Sequence, residues 1–200
     1  MRAVGYKESL PAEDPSSLLD ITVDDPVPGA NDLLVKVKAV AVNPVDTKIR
    51  MRMAPESGHK IIGWDAVGEV VSAGDKVTGF KTGDRVWYAG DLTRPGCNAQ
   101  LQTVDYRIVG KAPENLDDTQ AAALPLTSIT AWEILFDRLQ VDKPSPHNKR
   151  TLLIIGGAGG VGSVLIQLAA QLTDVTVIAT ASRAESQQWV KALGADHVIN

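Results

Sequence analysis

Cysteine is almost missing from this sequence. Among 200 residues only Cys97 carries a thiol, so no disulfide can close within the chain, and such usage fits a reducing compartment. Aromatic residues reach only 4%, and the three histidines, His59, His147 and His197, fall at spacings that build no metal-ligand motif. His59 reads as a surface residue, His147 as part of a loop, and His197 as the start of a strand. No apolar run approaches the roughly 18 residues needed to cross a bilayer. The opening residues Met1 to Lys7 lack the apolar stretch of a secretory signal. An excess of positive charge is also lacking: 20 Lys and Arg stand against 24 acidic residues, a formal net charge of -4. That balance argues against a chain that coats nucleic acid. These absences point to a cytoplasmic protein with neither membrane nor nucleic acid as partner. What is present, 44% apolar and 22% charged residues, suits one large domain or two small ones with a real core.

The texture of the chain changes near residue 120. Before it, short β-segments alternate with turns. Leu34 to Lys38 alternates apolar and charged residues, as a half-buried strand with one wet face requires. Leu18 to Val23, Gly68 to Val71, Arg85 to Tyr88 and Ala99 to Val104 are further candidates. Asp25-Pro26-Val27-Pro28-Gly29, Gly74-Asp75, Gly83-Asp84 and Gly90-Asp91 supply turn chemistry between them. Many short strands at such spacing predict an antiparallel barrel or sandwich over residues 1–120.

Residues 121–200 read differently. Ile129, Trp132, Leu135, Phe136 and Leu139 recur at three- and four-residue steps and predict one face of an amphipathic helix. Asp142 to Asn148 reads as a loop, because Pro144 and Pro146 break any helix. A strand at Leu152 to Ile155 follows, then a helix at Val161 to Leu172 and a strand at Val175 to Thr180. A capping-box spacing at Ser182 and Glu185 predicts the next helix start, Gly194 its C-terminal cap, and His197-Val198-Ile199 a third strand. Two crossovers and the start of a third strand make about half of a doubly wound nucleotide-binding sheet. The chain is therefore expected to be part of a longer protein.

Between the first of these strands and its helix lies Gly156-Gly157-Ala158-Gly159-Gly160-Val161-Gly162, with G-x-G-x-x-G spacing at Gly157, Gly159 and Gly162. In a dinucleotide fold these glycines serve a tight turn, a close backbone approach to pyrophosphate and close helix–strand packing. The backbone amides at Gly159, Gly160, Val161 and Gly162 would meet the diphosphate at the positive end of the helix dipole. The alternative is a glycine-rich turn used for packing alone. An NAD site usually carries an acid at the end of the second strand, roughly 20 residues beyond the loop. Here Thr180-Ala181-Ser182-Arg183 stands there instead. No carboxylate would repel a 2′-phosphate, and Arg183 with the Ser182 hydroxyl could bind one, which favours NADP(H). Ser182 as a mere helix cap and Arg183 as a solvated residue is the other reading.

Three phrases carry a family likeness: Ala41 to Lys48 (AVNPVDTK), Gly63 to Gly68 (GWDAVG) and Ala123 to Ser128 (ALPLTS). With the β-rich first part and the glycine loop, they make the whole chain resemble the medium-chain dehydrogenase/reductase superfamily. Within it the chain is similar to the quinone oxidoreductase branch, in the subgroup called zinc-type alcohol dehydrogenase-like. The resemblance implies a GroES-like antiparallel β-barrel, then a truncated Rossmann doubly wound parallel sheet, with nicotinamide bound in the cleft between the two domains. It also implies a homodimer of the full-length protein.

The same resemblance allows a test for zinc. In zinc-dependent relatives the first ligand is a cysteine where this chain has Asn43. The second is a histidine where it has Trp64, and the third falls around Ala122-Ala123-Leu124, which offers no donor. The region of the four-cysteine structural lobe, Asp91 to Cys97, holds one thiol. Asp65 could still be a ligand, but a lone carboxylate is more often an ordinary hydrogen-bonded residue. Zinc is not expected. Without a metal, alkoxide charge at a simple ketone goes unstabilised, whereas a quinone or conjugated enone spreads the charge and needs only a few hydrogen-bond donors. NADPH-dependent reduction of quinones or α,β-unsaturated carbonyls is the expected activity. A non-catalytic NADPH sensor or scaffold and a zinc enzyme with an unconventional site are the alternatives.

By resemblance Asn43 lies near the nicotinamide and orients substrate, Trp64 walls the cleft, and Thr127 contacts the cofactor. Tyr88 is a candidate proton donor, and Met51 and Met53 could line an apolar pocket. Each has a plain reading too: a turn residue before Pro44, core packing, helix capping, a strand tyrosine and simple packing. Asp46 is expected to brace its loop.

Overall fold

The computed structural model describes residues 1–141 and 150–200; the loop expected at Asp142 to Asn148, with His147, lies outside the described residues. The chain divides into two compact units, Met1–Leu126 and Thr127–Asn200.

The first unit contains β1 (Arg2–Tyr6), β2 (Leu19–Thr22), β3 (Asp32–Val40), α1 (Pro44–Arg52) and β4 (Lys60–Ile61). It continues with β5 (Asp65–Ala73), β6 (Arg85–Ala89), β7 (Leu101–Asp105), β8 (Gly110–Lys111) and α2 (Asp118–Ala122). All the strand pairs are antiparallel, in one sheet of order β2-β1-β4 and another of order β7-β3-β5-β6-β8. The alternation read in the sequence sets the register of β3. Leu33 and Val35 are fully buried, while Lys36 and Lys38 face solvent. They pack with Ala66, Val70, Val86, Tyr88, Cys97 and Val104.

The expected closed barrel is not seen. Among the described residues the two sheets keep separate edges and meet at an isolated bridge between Ala3 and Ala99, beside the Val4 N–H to Asn98 carbonyl bond of 2.7 Å. Arg85 holds the run into α2 by donating to Asp118 (2.8 Å) and to the carbonyls of Pro113 (2.6 Å) and Leu116 (3.0 Å). Ala121 and Ala122 of α2 then bury against Val67 of β5, which keeps this helix in the first unit.

α3 (Pro125–Trp132) begins in the first unit and runs into the second. The second unit continues with β9 (Thr151–Ile154), α4 (Gly160–Leu172), β10 (Thr176–Thr180), α5 (Ala184–Ala192) and β11 (His197–Ile199). Its strands are parallel in the order β11-β10-β9, a Rossmann-like sheet. Leu165, Ile166 and Ala169 of α4 and Val190 of α5 bury against Ile154, Val177 and Ala179. Gly194 ends α5 in the left-handed region (φ +112), as its position suggests.

Two local expectations need correction. The face Ile129–Trp132–Leu135–Phe136–Leu139 is only partly buried: Leu135 is sealed, but Ile129, Trp132 and Leu139 remain more than 40% exposed. Glu133–Arg138 winds as a π-helical turn, with the Leu139 N–H reaching back to the Ile134 carbonyl at 2.9 Å. Ala131 and Ile134 pack into the core beside Leu135 and Phe136, so the buried face is not the one counted at 3.6 residues per turn. At α5 the cap lies one residue later than Ser182. Arg183 is the N-cap residue, and its N–H donates to Ser186 Oγ (3.1 Å).

Candidate functional site

In the first unit the polar interest gathers around Asn43. Pro44 sets the first turn of α1, Asn43 caps it in an extended conformation, and Asp46 sits three residues on. The Asn43 N–H donates to Asp46 Oδ2 (2.6 Å), so Asp46 braces the loop as expected. The Asn43 side-chain amide donates through Nδ2 to Asp65 Oδ2 at 2.9 Å. The other oxygen of Asp65, Oδ1, accepts the Leu126 N–H at 3.0 Å. Asp65 is fully buried at the start of β5 and Asp46 is 3% exposed. Among the described residues neither has an ion-pair partner, and Asp46 Oδ1 has no hydrogen-bond partner at all.

Burial without a cation disfavours the ionised form. It pushes the Asp65 carboxyl up to about 6, against the hydrogen bonds from Asn43 and Leu126 and with the help of the Asp46 charge. Desolvation raises Asp46 as well, opposed by backbone amides. Local packing explains the burial. Gly63 adopts φ +101, and a Cβ there would lie 2.3 Å from Asn98 Oδ1 and 2.8 Å from Cys97 Sγ. Only glycine lets the 61–65 run press onto the 96–98 segment, where Gly96, Cys97 and Asn98 donate to the carbonyls of Ile61, Gly63 and Ile62. Burial pushes the Cys97 thiol up to about 12, which makes it an inert core group.

Two residues named from the sequence are placed elsewhere than expected. Trp64 does not wall an open site. It is 1% exposed, packed with Tyr6, Ile49 and Ile62, and its indole N–H donates to the Asp91 carbonyl at 3.1 Å. Tyr88 lies on β6 between β5 and β8, 2% exposed, with its hydroxyl donating to Gln102 Oε1 at 2.8 Å. Desolvation holds its phenol well above the ordinary range, so it is a core tyrosine rather than an available proton donor. Met51 and Met53 are 63% and 46% exposed. Asp65 and the unpaired Asp46 oxygen are what reading by motif undervalued. Their only signal was the position of two acids within the AVNPVDTK and GWDAVG phrases.

In the second unit the glycine loop joins β9 to α4. Gly156 takes φ +71, a left-handed turn that reverses the chain. Its N–H donates to Thr180 Oγ1 (2.9 Å) and the Gly157 N–H to the Thr180 carbonyl (3.1 Å), anchoring the turn on β10. A Cβ on Gly157 would meet the Ala179 Cβ at 2.9 Å, and one on Gly162 would lie 2.5 Å from the Gly156 carbonyl oxygen. These positions are therefore closed to any side chain. Gly159 caps α4 with no side chain to offer, and the first-turn amides of Gly160, Val161 and Gly162 have no partner inside the helix. Thr127 stands beside this turn, its Cγ2 within 3.1 Å of where a Gly160 Cβ would be. Gly156, Ala158, Gly159, Thr180, Ser182, Arg183 and Ser186 line one cleft of about 560 Å³. Arg183 is exposed there and makes no ion pair among the described residues. A bare cradle of amides with a free guanidinium beside it fits a phosphorylated dinucleotide.

Among the described residues the donors present do not match a zinc site. Among the described residues no three His, Cys, Asp or Glu side chains come together to hold a metal ion. Nor is any helix there long and apolar enough to cross a membrane.

Residues 29–114 match the model of the alcohol dehydrogenase GroES-like domain. A zinc-type alcohol dehydrogenase-like protein of Staphylococcus epidermidis is 43% identical over the whole of this chain and 59% of its own length. A crystallised candidate zinc-dependent alcohol dehydrogenase of Rhizobium etli superposes with a TM-score of 0.94 at 57% identity, over 100% of this chain and 58% of that one. Over its whole length the chain is similar to zinc-type alcohol dehydrogenase-like proteins and, in structure, to quinone oxidoreductases of the medium-chain dehydrogenase/reductase superfamily. The Escherichia coli quinone oxidoreductase, solved in complex with NADPH, matches at a TM-score of 0.82 and 28% identity, over 100% of this chain and 58% of that one. The chain spans about three fifths of the curated relatives it matches, 59% of the first.

Proposed function

We propose that the whole protein is an NADPH-dependent oxidoreductase that reduces quinones or α,β-unsaturated carbonyls without zinc. The observation that carries this reading is the glycine-rich loop opening α4, with Ser182 and Arg183 lining the same cleft. In it the amides of Gly160, Val161 and Gly162 hold the diphosphate, Arg183 and Ser182 hold the 2′-phosphate, and Thr127 contacts the cofactor. When bound, reduced nicotinamide supplies a hydride. Asn43 meets the acceptor or the nicotinamide through its amide. With Tyr88 committed to Gln102 and both Asp65 oxygens accepting from Asn43 and Leu126, the proton comes from water or a nearby hydroxyl. Asn43 and Trp64 occupy the positions where zinc-dependent relatives carry ligands, which supports a metal-free reaction. The NADPH complex of the Escherichia coli relative supports the choice of cofactor.

On the same reading residues 1–120 form the GroES-like catalytic domain. Residues 121–200 begin a doubly wound sheet that the rest of the protein completes, in a cytoplasmic homodimer. The test is NADPH oxidation by the full-length protein against a panel of quinones, enones and simple aldehydes, with and without a chelator. Turnover of the first two classes that a chelator leaves untouched is the expected result. Activity confined to aldehydes or abolished by chelation would overturn it.

A further inference from the structure

Asp65 is a costly residue at its position. A carboxylate with no exposed surface loses its hydration, and here it regains only two neutral hydrogen bonds, from Asn43 Nδ2 and the Leu126 N–H. Fold stability alone does not ask for a charge there. An asparagine would accept the Leu126 N–H equally well, at lower desolvation cost. What an asparagine could not do is dictate which way Asn43 faces. Two carboxamides pair in either sense, NH₂ to oxygen or oxygen to NH₂, whereas an ionised carboxylate only accepts. It therefore compels the Asn43 amide to turn its NH₂ inward and its oxygen away. Asp46, a second buried acceptor, holds the backbone N–H of the same residue at 2.6 Å. Both ends of Asn43 are thus clamped by acids that no cation neutralises among the described residues.

We propose that Asp65 is a positioning residue that fixes the orientation of the Asn43 side-chain amide, so that the site is offered one end of that amide and not the other. The proposal rests on Asn43 being a ligand contact, as in the function proposed above. Because Oδ1 of Asp65 also holds the amide of Leu126, the same side chain orders the backbone next to Thr127.

The test uses the full-length protein and two independent readouts. In the unmodified protein, the side-chain amide of Asn43, assigned by NMR, should show one proton shifted strongly downfield and slow to exchange. Ordinary, rapidly exchanging Asn43 amide protons would overturn the proposal whatever the enzyme turns over. In Asp65→Asn that shift should vanish and kcat/KM for a quinone should fall at least tenfold. NADPH affinity should stay within twofold, and the melting temperature at pH 8 should not fall. A variant whose kcat/KM stays within twofold of the parent, or whose only defect is a lowered melting temperature, would also overturn it. If no acceptor is turned over at all, the proposed function fails while the amide resonance still decides the orientation.

Discussion

The glycine loop of the second unit and the Asn43 cluster of the first are built by opposite means. The loop works by omission: at Gly157 and Gly162 any side chain would collide with neighbouring atoms, and what remains for a ligand is backbone. The cluster works by commitment, with two buried carboxylates holding one asparagine at the expense of stability. A backbone cradle recognises the phosphates shared by every dinucleotide. A clamped side chain can address one particular acceptor. The contrast suggests that cofactor binding will fail on steric insults, and chemistry on electrostatic ones.

The largest expected effect breaks the loop. Gly162→Ala puts a methyl group 2.5 Å from the Gly156 oxygen, which the backbone can relieve only by opening the turn. NADPH affinity, read by fluorescence titration, should fall at least about 100-fold, since the diphosphate loses its aligned amides. Next comes the linkage of the cluster to pH. The folded Asp65 carboxyl titrates at about 6 against an ordinary 3.8, so between these values the folded state keeps a proton that the unfolded state has released. Stability therefore falls as pH rises through that window, by about 3 kcal/mol from this group, and Asp46 acts in the same direction. Chemical denaturation of the parent and Asp65→Asn at pH 4 and pH 8 should show the variant gaining relative stability at the higher pH. A gain at the lower pH would contradict the assignment.

A smaller effect distinguishes the two nucleotides. Arg183→Ala should cost about tenfold in NADPH affinity, the worth of a charge-assisted hydrogen bond, and leave NADH binding unchanged. Equal losses would place Arg183 outside the 2′-phosphate site. Smallest of all, Tyr88→Phe should lower stability by about 1 kcal/mol by leaving Gln102 Oε1 short of a donor, with kcat unaltered. A large fall in kcat would restore Tyr88 to the chemistry.

Legibility followed the same division. The loop, its flanking strand and helix, and the Gly194 cap are local patterns, and their spacing alone marks them. The alternating strands of the first unit were equally readable, because one wet and one dry face leave a period of two. The Asp65 side of the cluster was not, since its hydrogen bonds join residues 22 and 61 positions apart. Trp64 was misread because an indole beside a glycine turn can serve a wall or a core equally, and only the packing of Tyr6, Ile49 and Ile62 decides. The helix α1 also escaped notice: Asn43-Pro44 reads as a turn, and the proline is at N1. The π-helical turn after Trp132 has no signature in a pattern counted at 3.6 residues.

The central claim is that the loop from Gly156 to Gly162, with Arg183, binds the phosphorylated dinucleotide. Calorimetric titration of the full-length protein with NADPH and NADH in parallel tests it most directly. Saturable binding of NADPH at least tenfold tighter than that of NADH is expected; no heat with either nucleotide, or a preference for NADH, would contradict it.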